Sequence, residues 1–456
     1  MNSLDIIIRD GIVVTETAAV QADIGIAEGK IVALGAGLGG IPRDVINADG
    51  LHVFPGVIDA HVHFNEPGRT DWEGIETGSR AVAAGGGAMF FDMPLNAHPP
   101  TTDAGSFRVK QIAAEHKSLV DFALWGGLVP QNLDRLEELA ACGVIGFKAF
   151  MSNSGIDDFD SVDDAVLRQG MKRAALLKLP VAVHAESDIL TARLASEAIA
   201  AQRTGIRDYL NSRPILAELD AIQRAVDLAA DTGCALHVVH VSSAAGVGLV
   251  TGARLAGVDV TCETCPHYFT LTDEDVEKLG AVAKCAPPLR SASEQALLWR
   301  EVLAENVLTI GSDHSPSPPE MKQSDNFFKV WGGISGAQHL LPLVLTRGQA
   351  DLPLVSRLTA SNVARRFKLP GYKGRIAVGN DADLALVNIN ETFVVRAEEL
   401  LYRHRQSPYV DSTLRGTVKR TMVRGRTVFQ DGKITAEPQG RLVRRTDSFH
   451  LSVSSP

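Results

Sequence analysis

Short apolar runs alternate with longer amphipathic segments through the middle of the chain. Most of the runs are separated by Ala/Leu-rich segments of helical periodicity, such as residues 216–233. Continuous apolar runs of this length are typical of strands that are buried on both faces of a parallel sheet. The alternation therefore predicts an α/β fold, either a doubly wound sheet or a (β/α)8 barrel. The eight runs occupy residues 56–63, 87–94, 120–127, 143–150, 180–186, 235–242, 259–267 and 307–315.

Both ends of the chain show a different pattern. Residues 4–50 and a segment near the C-terminus contain runs in which apolar and polar residues alternate, with Asp-Gly or Glu-Gly at the turns. Neither end holds enough strands for a sheet core alone, so we expect one small β-sandwich built from both. The predicted divisions are residues 1–52 and 371–436 for the two parts of the β-sandwich, 53–370 for the central α/β domain, and 437–456 for a polar tail that is flexible or reaches a neighbouring subunit.

Metal-capable or charged residues stand near the C-terminal ends of five of the eight runs. In a barrel these ends converge on the face that holds active sites, so their placement favours the (β/α)8 barrel, a TIM-like fold. His61 and His63 are two positions apart on one strand and point to the same side, which suits half of a metal site. Taken singly, each candidate has an ordinary explanation, such as a hydrogen-bonded His or a salt-bridged Lys. The six candidates are His61, His63, Lys148, His184, His240 and Asp313.

Composition narrows the classes of function. The 456 residues are 45% hydrophobic and 22% charged, as in an ordinary globular enzyme, and a formal charge of −9 argues against nucleic acid or an anionic membrane as partner. The five cysteines are an odd number scattered through apolar segments, which fits packed thiols in a reducing cytoplasm. Cys262 and Cys265 have CxxC spacing, but one pair alone is weak evidence for a metal and is interpreted as structural. We find neither a signal-like N-terminus nor a membrane-spanning apolar stretch.

The order of the six candidates carries a family resemblance. A His-X-His pair at a strand end, then a single Lys, two single His residues and a final Asp, resembles the amidohydrolase superfamily. The resemblance implies two divalent metal ions, Zn2+ in the first place with Mn2+ or Co2+ as substitutes, which share a hydroxide and a lysine carboxylated by CO2. Asp313 would also accept the proton of that hydroxide. The implied ligands are His61, His63 and Asp313 for one ion, His184 and His240 for the other, and Lys148, as the carbamate N6-carboxylysine, for the bridge.

Three places in the sequence discriminate between branches of cyclic amidohydrolases. Dihydroorotases have an Arg two residues after the second His, whereas this chain has Asn65. Hydantoinases (dihydropyrimidinases) have a Tyr five residues after the bridging Lys, whereas this chain has Asn153. Segments 66–69, 93–96 and 313–321 are instead similar to those of the allantoinases. That resemblance implies hydrolysis of the cyclic amide bond of allantoin to allantoate, a step of purine breakdown.

The resemblance also implies a set of substrate contacts and an oligomeric state. Neutral allantoin suits a pocket of Asn, Ser and backbone groups better than one built on Arg. For Arg69, a salt bridge that ties down the loop after the first barrel strand is an equal alternative to a substrate contact. A homotetramer is expected; hydantoinase, dihydroorotase and a non-enzymatic scaffold remain alternatives. The candidate contacts are Arg69, Asn96, Asn153, Ala286, Ser317 and Gly332, with the Pro- and Gly-rich loop 315–335 as a candidate lid.

Overall fold

The computed structural model describes residues 4–447, which begin with five strands of a mixed sheet. The first three strands pair antiparallel, and a two-residue turn at Glu28-Gly29 with positive φ at both positions joins the second to the third. The strands are β1 (Ile6–Val14), β2 (Ala19–Ala27), β3 (Lys30–Gly35), β4 (Asp44–Asn47) and β5 (His52–Pro55).

The predicted (β/α)8 barrel is confirmed. Its strands pair in parallel in chain order, and a parallel bridge between Val62 and His314 brings the end of the series back to its start. The third barrel strand is interrupted at Trp125 and has two parts. The barrel strands are β6 (Val57–Val62), β7 (Gly87–Asp92), β8 and β9 (Asp121–Leu124 and Gly126–Gly127), β10 (Phe147–Phe150), β11 (Val181–His184), β12 (Leu236–Val238), β13 (Val260–Thr264) and β14 (Thr309–Ile310).

Helices cover the outside of the barrel and connect its strands. The longest shows why the sequence forms them: Ile215–Thr232 buries one apolar face that includes Ala221, Ile222 and Ala225, and Gly233 ends it with a left-handed φ of 67°. The helices are α1 (Ile75–Ala84), α2 (Ala104–Lys117), α3 (Leu136–Cys142), α4 (Asp164–Leu176), α5 (Asp188–Ala200), α6 (Ile206–Asn211), α7 (Ile215–Thr232), α8 (Ala244–Leu255), α9 (Pro266–Thr270), α10 (Asp273–Leu279), α11 (Ala292–Leu303), α12 (Leu340–Arg347), α13 (Leu352–Ser356) and α14 (Asn362–Arg366).

Both ends of the chain join in one sheet, as the sequence predicts. The C-terminal strands are β15 (Leu384–Val394), β16 (Thr413–Val423), β17 (Arg426–Gln430) and β18 (Lys433–Ile434). The junction is an antiparallel pairing of β15 with β5, and the order is β18-β17-β16-β15-β5-β1-β2-β3, with β4 beside β1. A separate apolar core, with Ile24, Ile31, Leu384 and Met422 among its members, draws on strands from both ends. Burial of this shared core is what holds the two termini together.

A buried lysine connects this sheet to the barrel. Lys373 Nζ lies 2.6 Å from Asp121 Oδ2 at the start of β8, 2.8 Å from Asp381 Oδ2 and 2.7 Å from Asp383 Oδ2 just before β15. Burial alone would lower the pKa of Lys373, but the three carboxylates outweigh it and raise that pKa. Lys373 is therefore a charged link between the two parts of the fold.

The described part of the predicted tail, residues 437–447, lies against the barrel. The backbone N–H groups of Gln439 and Gly440 donate to the carbonyl of Ser118, the N–H of Phe122 in β8 donates to the carbonyl of Arg441, and the N–H of Val443 donates to the carbonyl of Phe122. Residues 437–447 thus pack on the barrel, and the remainder of the predicted tail lies outside the described residues. None of the helices between residues 4 and 447 is long and apolar enough to cross a membrane.

Candidate active site

Two histidines from the first barrel strand meet an aspartate that follows the last. His61 lies in β6 and His63 directly after it, so the pleat aims both rings at the same side. Asp313 Oδ1 is 3.2 Å from His61 Nε2 and 3.4 Å from His63 Nε2. These three side chains converge closely enough to hold one metal ion.

A second pair of histidines lies beside the first. His184 ends β11 and His240 follows β12, and His184 Nδ1 is 3.1 Å from His240 Nε2. The rings of His240 and His61 are 5.4 Å apart, which joins the two groups into one cluster. His240 and Asp313 have φ values of 41° and 46°, a left-handed conformation that costs energy in residues other than glycine. The backbone is therefore strained at two of the positions that aim side chains into the cluster.

Lys148 lies in the same cluster without a hydrogen-bond partner. Its side chain is fully buried, and its Nζ has no hydrogen-bond partner among residues 4–447. Burial, partly opposed by the charge of Asp313, lowers the pKa of Lys148 to about 7. A buried amine with no partner normally destabilises a protein, so this placement indicates a role in the site.

Burial favours the neutral ring in three of the cluster's histidines. It is the largest cause that lowers the pKa of His63, of His184 and, most strongly, of His240. For Asp313 burial acts in the opposite direction, but the interactions with His61 and His63 outweigh it and hold its pKa well below the usual value. Neutral imidazoles beside an ionised carboxylate are the donor set that divalent transition metals prefer.

Two buried glutamates support the outer nitrogens of the histidines. Glu263 Oε1 lies 2.8 Å from His61 Nδ1, and Glu186 Oε2 lies 2.9 Å from His184 Nε2. Burial opposes the ionisation of both, but His61 for Glu263 and Arg213 for Glu186 outweigh it, and each pKa falls to about 2. Such carboxylates fix which ring nitrogen faces a metal. The sequence analysis missed both residues, although each stands at the C-terminal end of a barrel strand, where a search for supporting carboxylates could have started.

The cluster forms the floor of a cavity of about 530 Å³. Four of the six predicted substrate contacts line it: Asn96, Asn153, Ala286 and Gly332. Ser317 is buried and does not line it. Arg69 also lies outside the lining, because its guanidinium donates to the carbonyls of residues 96 and 97 and pairs with Asp158 at 3.0 Å. The structure therefore contains the salt bridge considered for Arg69, and a substrate contact of this residue stays a prediction.

The cysteine pair carries no metal site of its own. Cys262 and Cys265 are buried free thiols in and after β13. Cys265 does approach His267 and Asp313, so that group shares its carboxylate with the cluster described above. The structural interpretation of the CxxC spacing therefore agrees with the burial of both thiols.

Comparisons with known proteins point in one direction. The model of the amidohydrolase family matches residues 52–428. The allantoinase of Rubrobacter xylanophilus is 56% identical over 97% of this chain and 98% of its own, and that of Deinococcus radiodurans is 52% identical over 97% and 99%. Among solved structures, the L-hydantoinase (dihydropyrimidinase) of Arthrobacter aurescens has a TM-score of 0.95 at 33% identity, covering 97% of this chain and 100% of its own.

Proposed function

The chain belongs to the amidohydrolase family and, within it, to the allantoinases, and we propose that it opens the hydantoin ring of allantoin with water to give allantoate. The observation that carries the proposal is the convergence of four histidines and one aspartate on one cavity, with the buried amine of Lys148 beside them. The high identity to curated allantoinases over nearly the whole chain supports the same substrate.

As a member of this family the chain binds divalent metal, and we propose that it holds two ions. His61, His63 and Asp313 would hold one, and His184 and His240 would hold the other. The fit is supported by the low pKa of three of these histidines and by the glutamates behind two of the rings. Zn2+ is the proposed native ion, and Mn2+ or Co2+ can take its place with this donor set.

Lys148 is the proposed bridge between the ions, as an N6-carboxylysine. Addition of CO2 to the neutral amine forms a carbamate and releases one proton, so the reaction needs a lysine that is partly deprotonated. A pKa near 7 supplies that form at neutral pH. The carbamate would replace a partnerless buried amine by an anion with two oxygen ligands, which removes the energetic penalty of its burial.

In the proposed hydrolysis, Asp313 transfers the proton. When bound, the two ions polarise the amide carbonyl and make water nucleophilic near neutral pH. Asp313 is the proposed proton carrier: its carboxylate faces the cavity, takes the proton of the attacking water and passes it to the departing ring nitrogen. Its lowered pKa keeps it ionised, as a proton acceptor must be.

Amide and backbone groups are proposed to select allantoin. Asn153 and Asn96 line the cavity with Ala286 and Gly332 and can match the donors and acceptors of a ureido group. Asn65 supports selection against dihydroorotate, because its side chain is buried and donates to the carbonyl of Pro316 at 3.3 Å, and no cation stands at that position. We also propose a homotetramer in the cytoplasm, in keeping with the five free cysteines.

Turnover of four cyclic amides by the purified protein tests the proposal. Allantoin, hydantoin, dihydrouracil and dihydroorotate are each supplied with Zn2+-, Mn2+- or Co2+-loaded protein, with chelator-treated protein as the control. We expect allantoin to be opened far faster than the others and the chelator to abolish the reaction. Faster turnover of hydantoin or dihydrouracil would overturn the substrate and favour the activity named for the Arthrobacter relative.

A further inference from the structure

The loop after Asp313 forms one wall of the cavity but has little regular structure. Phe328, Val330, Trp331 and Gly332 all line the cavity, and between residues 319 and 335 the described secondary structure is limited to two short 3₁₀ turns and one isolated β-bridge at Ile334. Gly333 has φ 141°, and a Cβ there would meet the Ser315 carbonyl at 2.1 Å. A wall built in this way needs something other than helix or strand hydrogen bonds to fix its shape.

Lys284 holds one side of this loop. The side chain is buried, and its Nζ donates to the carbonyl of Phe327 at 2.6 Å and to that of Val330. The backbone carbonyl of Lys284 accepts from the N–H of Gly333 at 2.7 Å. Both the side chain and the backbone of this residue are therefore hydrogen-bonded to the loop. Its Nζ also lies over the Tyr209 ring, 4.3 Å from the ring centroid.

Lys322 holds the other side. Its Nζ donates to the carbonyls of Trp331 at 3.0 Å and Gly333 at 2.7 Å. Neither lysine forms an ion pair with a carboxylate among residues 4–447. Burial, with a smaller contribution from Arg213, lowers the pKa of Lys284 to about 7, and burial lowers that of Lys322 to about 7. Two lysine side chains are thus kept in surroundings that oppose their charge, with peptide carbonyls as the acceptors of their N–H groups.

The direction of each bound carbonyl also sets the direction of the N–H in the same peptide group. In a trans peptide the C=O and the following N–H point in opposite directions. Because the Trp331 carbonyl faces Lys322, the N–H of Gly332 faces away from it, and this N–H has no hydrogen-bond partner within residues 4–447. Gly332 also lines the cavity. The lysines therefore orient a free backbone donor at the edge of the active site.

We infer that Lys284 and Lys322 are positioning residues for the substrate: together they hold the carbonyls of residues 327–333 so that the loop presents Gly332 to the cavity. The inference rests on the proposed hydrolysis of allantoin. Lys284 itself lines the cavity, but the hydrogen bonds of both lysine side chains go to backbone carbonyls of the loop, and it is through these that we expect them to act.

The test compares Lys284→Met and Lys322→Met with Lys278→Met, which makes the same chemical change at an exposed residue of α10. We expect each of the first two variants to lower kcat/KM for allantoin at least tenfold and to speed hydrogen exchange in peptides that cover 327–334. Metal content and melting temperature should match those of Lys278→Met. Lys322→Arg, which keeps a cation at a half-buried position, should recover most of kcat/KM.

The outcomes separate this inference from the proposed function. Unchanged exchange in both Met variants would overturn it, and so would faster exchange with kcat/KM within threefold of the parent protein. Loss of metal together with activity would also overturn it, since the lysines would then act through the metal site. Absence of allantoin hydrolysis in the parent protein refutes the proposed function, while the exchange measurement still reports whether the lysines hold the loop.

Discussion

Removal of the carboxylate behind His61 should weaken the metal site without dismantling it. Glu263 Oε1 accepts from His61 Nδ1 at 2.8 Å, and both side chains are about 1% exposed. A hydrogen bond to a charged acceptor is worth about 1.5–3 kcal/mol and one to a neutral acceptor about 0.5–1.5 kcal/mol. Glu263→Gln keeps the shape and loses the charge, so it should cost about 1 kcal/mol, roughly fivefold in metal affinity.

Glu263→Ala should cost more, because it leaves the His61 N–H buried without an acceptor. We expect a loss of about 10–100-fold in metal affinity and a comparable loss in activity. Metal affinity is measured by competition with a chelator and activity by allantoin turnover, with Glu274→Gln and Glu274→Ala on the surface of α10 as matched controls. If both Glu263 variants bind metal as tightly as their controls, the carboxylate does not orient His61 and the reasoning fails.

Three further changes test other parts of the structure. Lys148→Ala should lose one or both metals and nearly all activity, with partial recovery when short carboxylic acids are added; full activity without them would refute the bridge. Lys373→Met removes the shared cation of three buried carboxylates, of which Asp121 keeps Arg424 and Asp381 keeps Lys30, and should lower the free energy of unfolding by about 3–5 kcal/mol, measured in urea; an unchanged midpoint would contradict its role. Gly311→Ala places a Cβ 2.7 Å from Glu263 Oε2 and should weaken metal binding at least as much as Glu263→Gln; tight binding would show that the carboxylate can move freely.

The candidate ligands could be predicted because barrel topology converts sequence position into spatial position. Every parallel strand in a barrel ends on the same face, so a polar residue at the end of a buried apolar run is placed near all the others. His61, Lys148, His184 and His240 follow that rule, and the structure brings them into one cluster with Asp313. The local pattern gave their placement, and the family resemblance gave their expected role as ligands.

Partners that lie far apart in the chain could not be predicted in the same way. Glu263 is 202 residues from His61, and Lys373 is 252 residues from Asp121. Arg69 shows the same limit, since its pairing with Asp158 depends on how two loops meet. A charged side chain carries no local sign of its partner, and burial decides which pairing is stable.

The sequence by itself determined the alternation of buried strands with helices and the polar residues at the strand ends, because apolar runs and their boundaries are local features. The class of chemistry came from the resemblance of those residues, in their order, to the amidohydrolases. The tertiary structure alone decided which carboxylates support the histidines, which lysines hold the loop over the cavity and where the end of the described chain packs. Those contacts depend on distances between loops and strands that no local period encodes. They form only once the barrel has closed and excluded water from the groups they join.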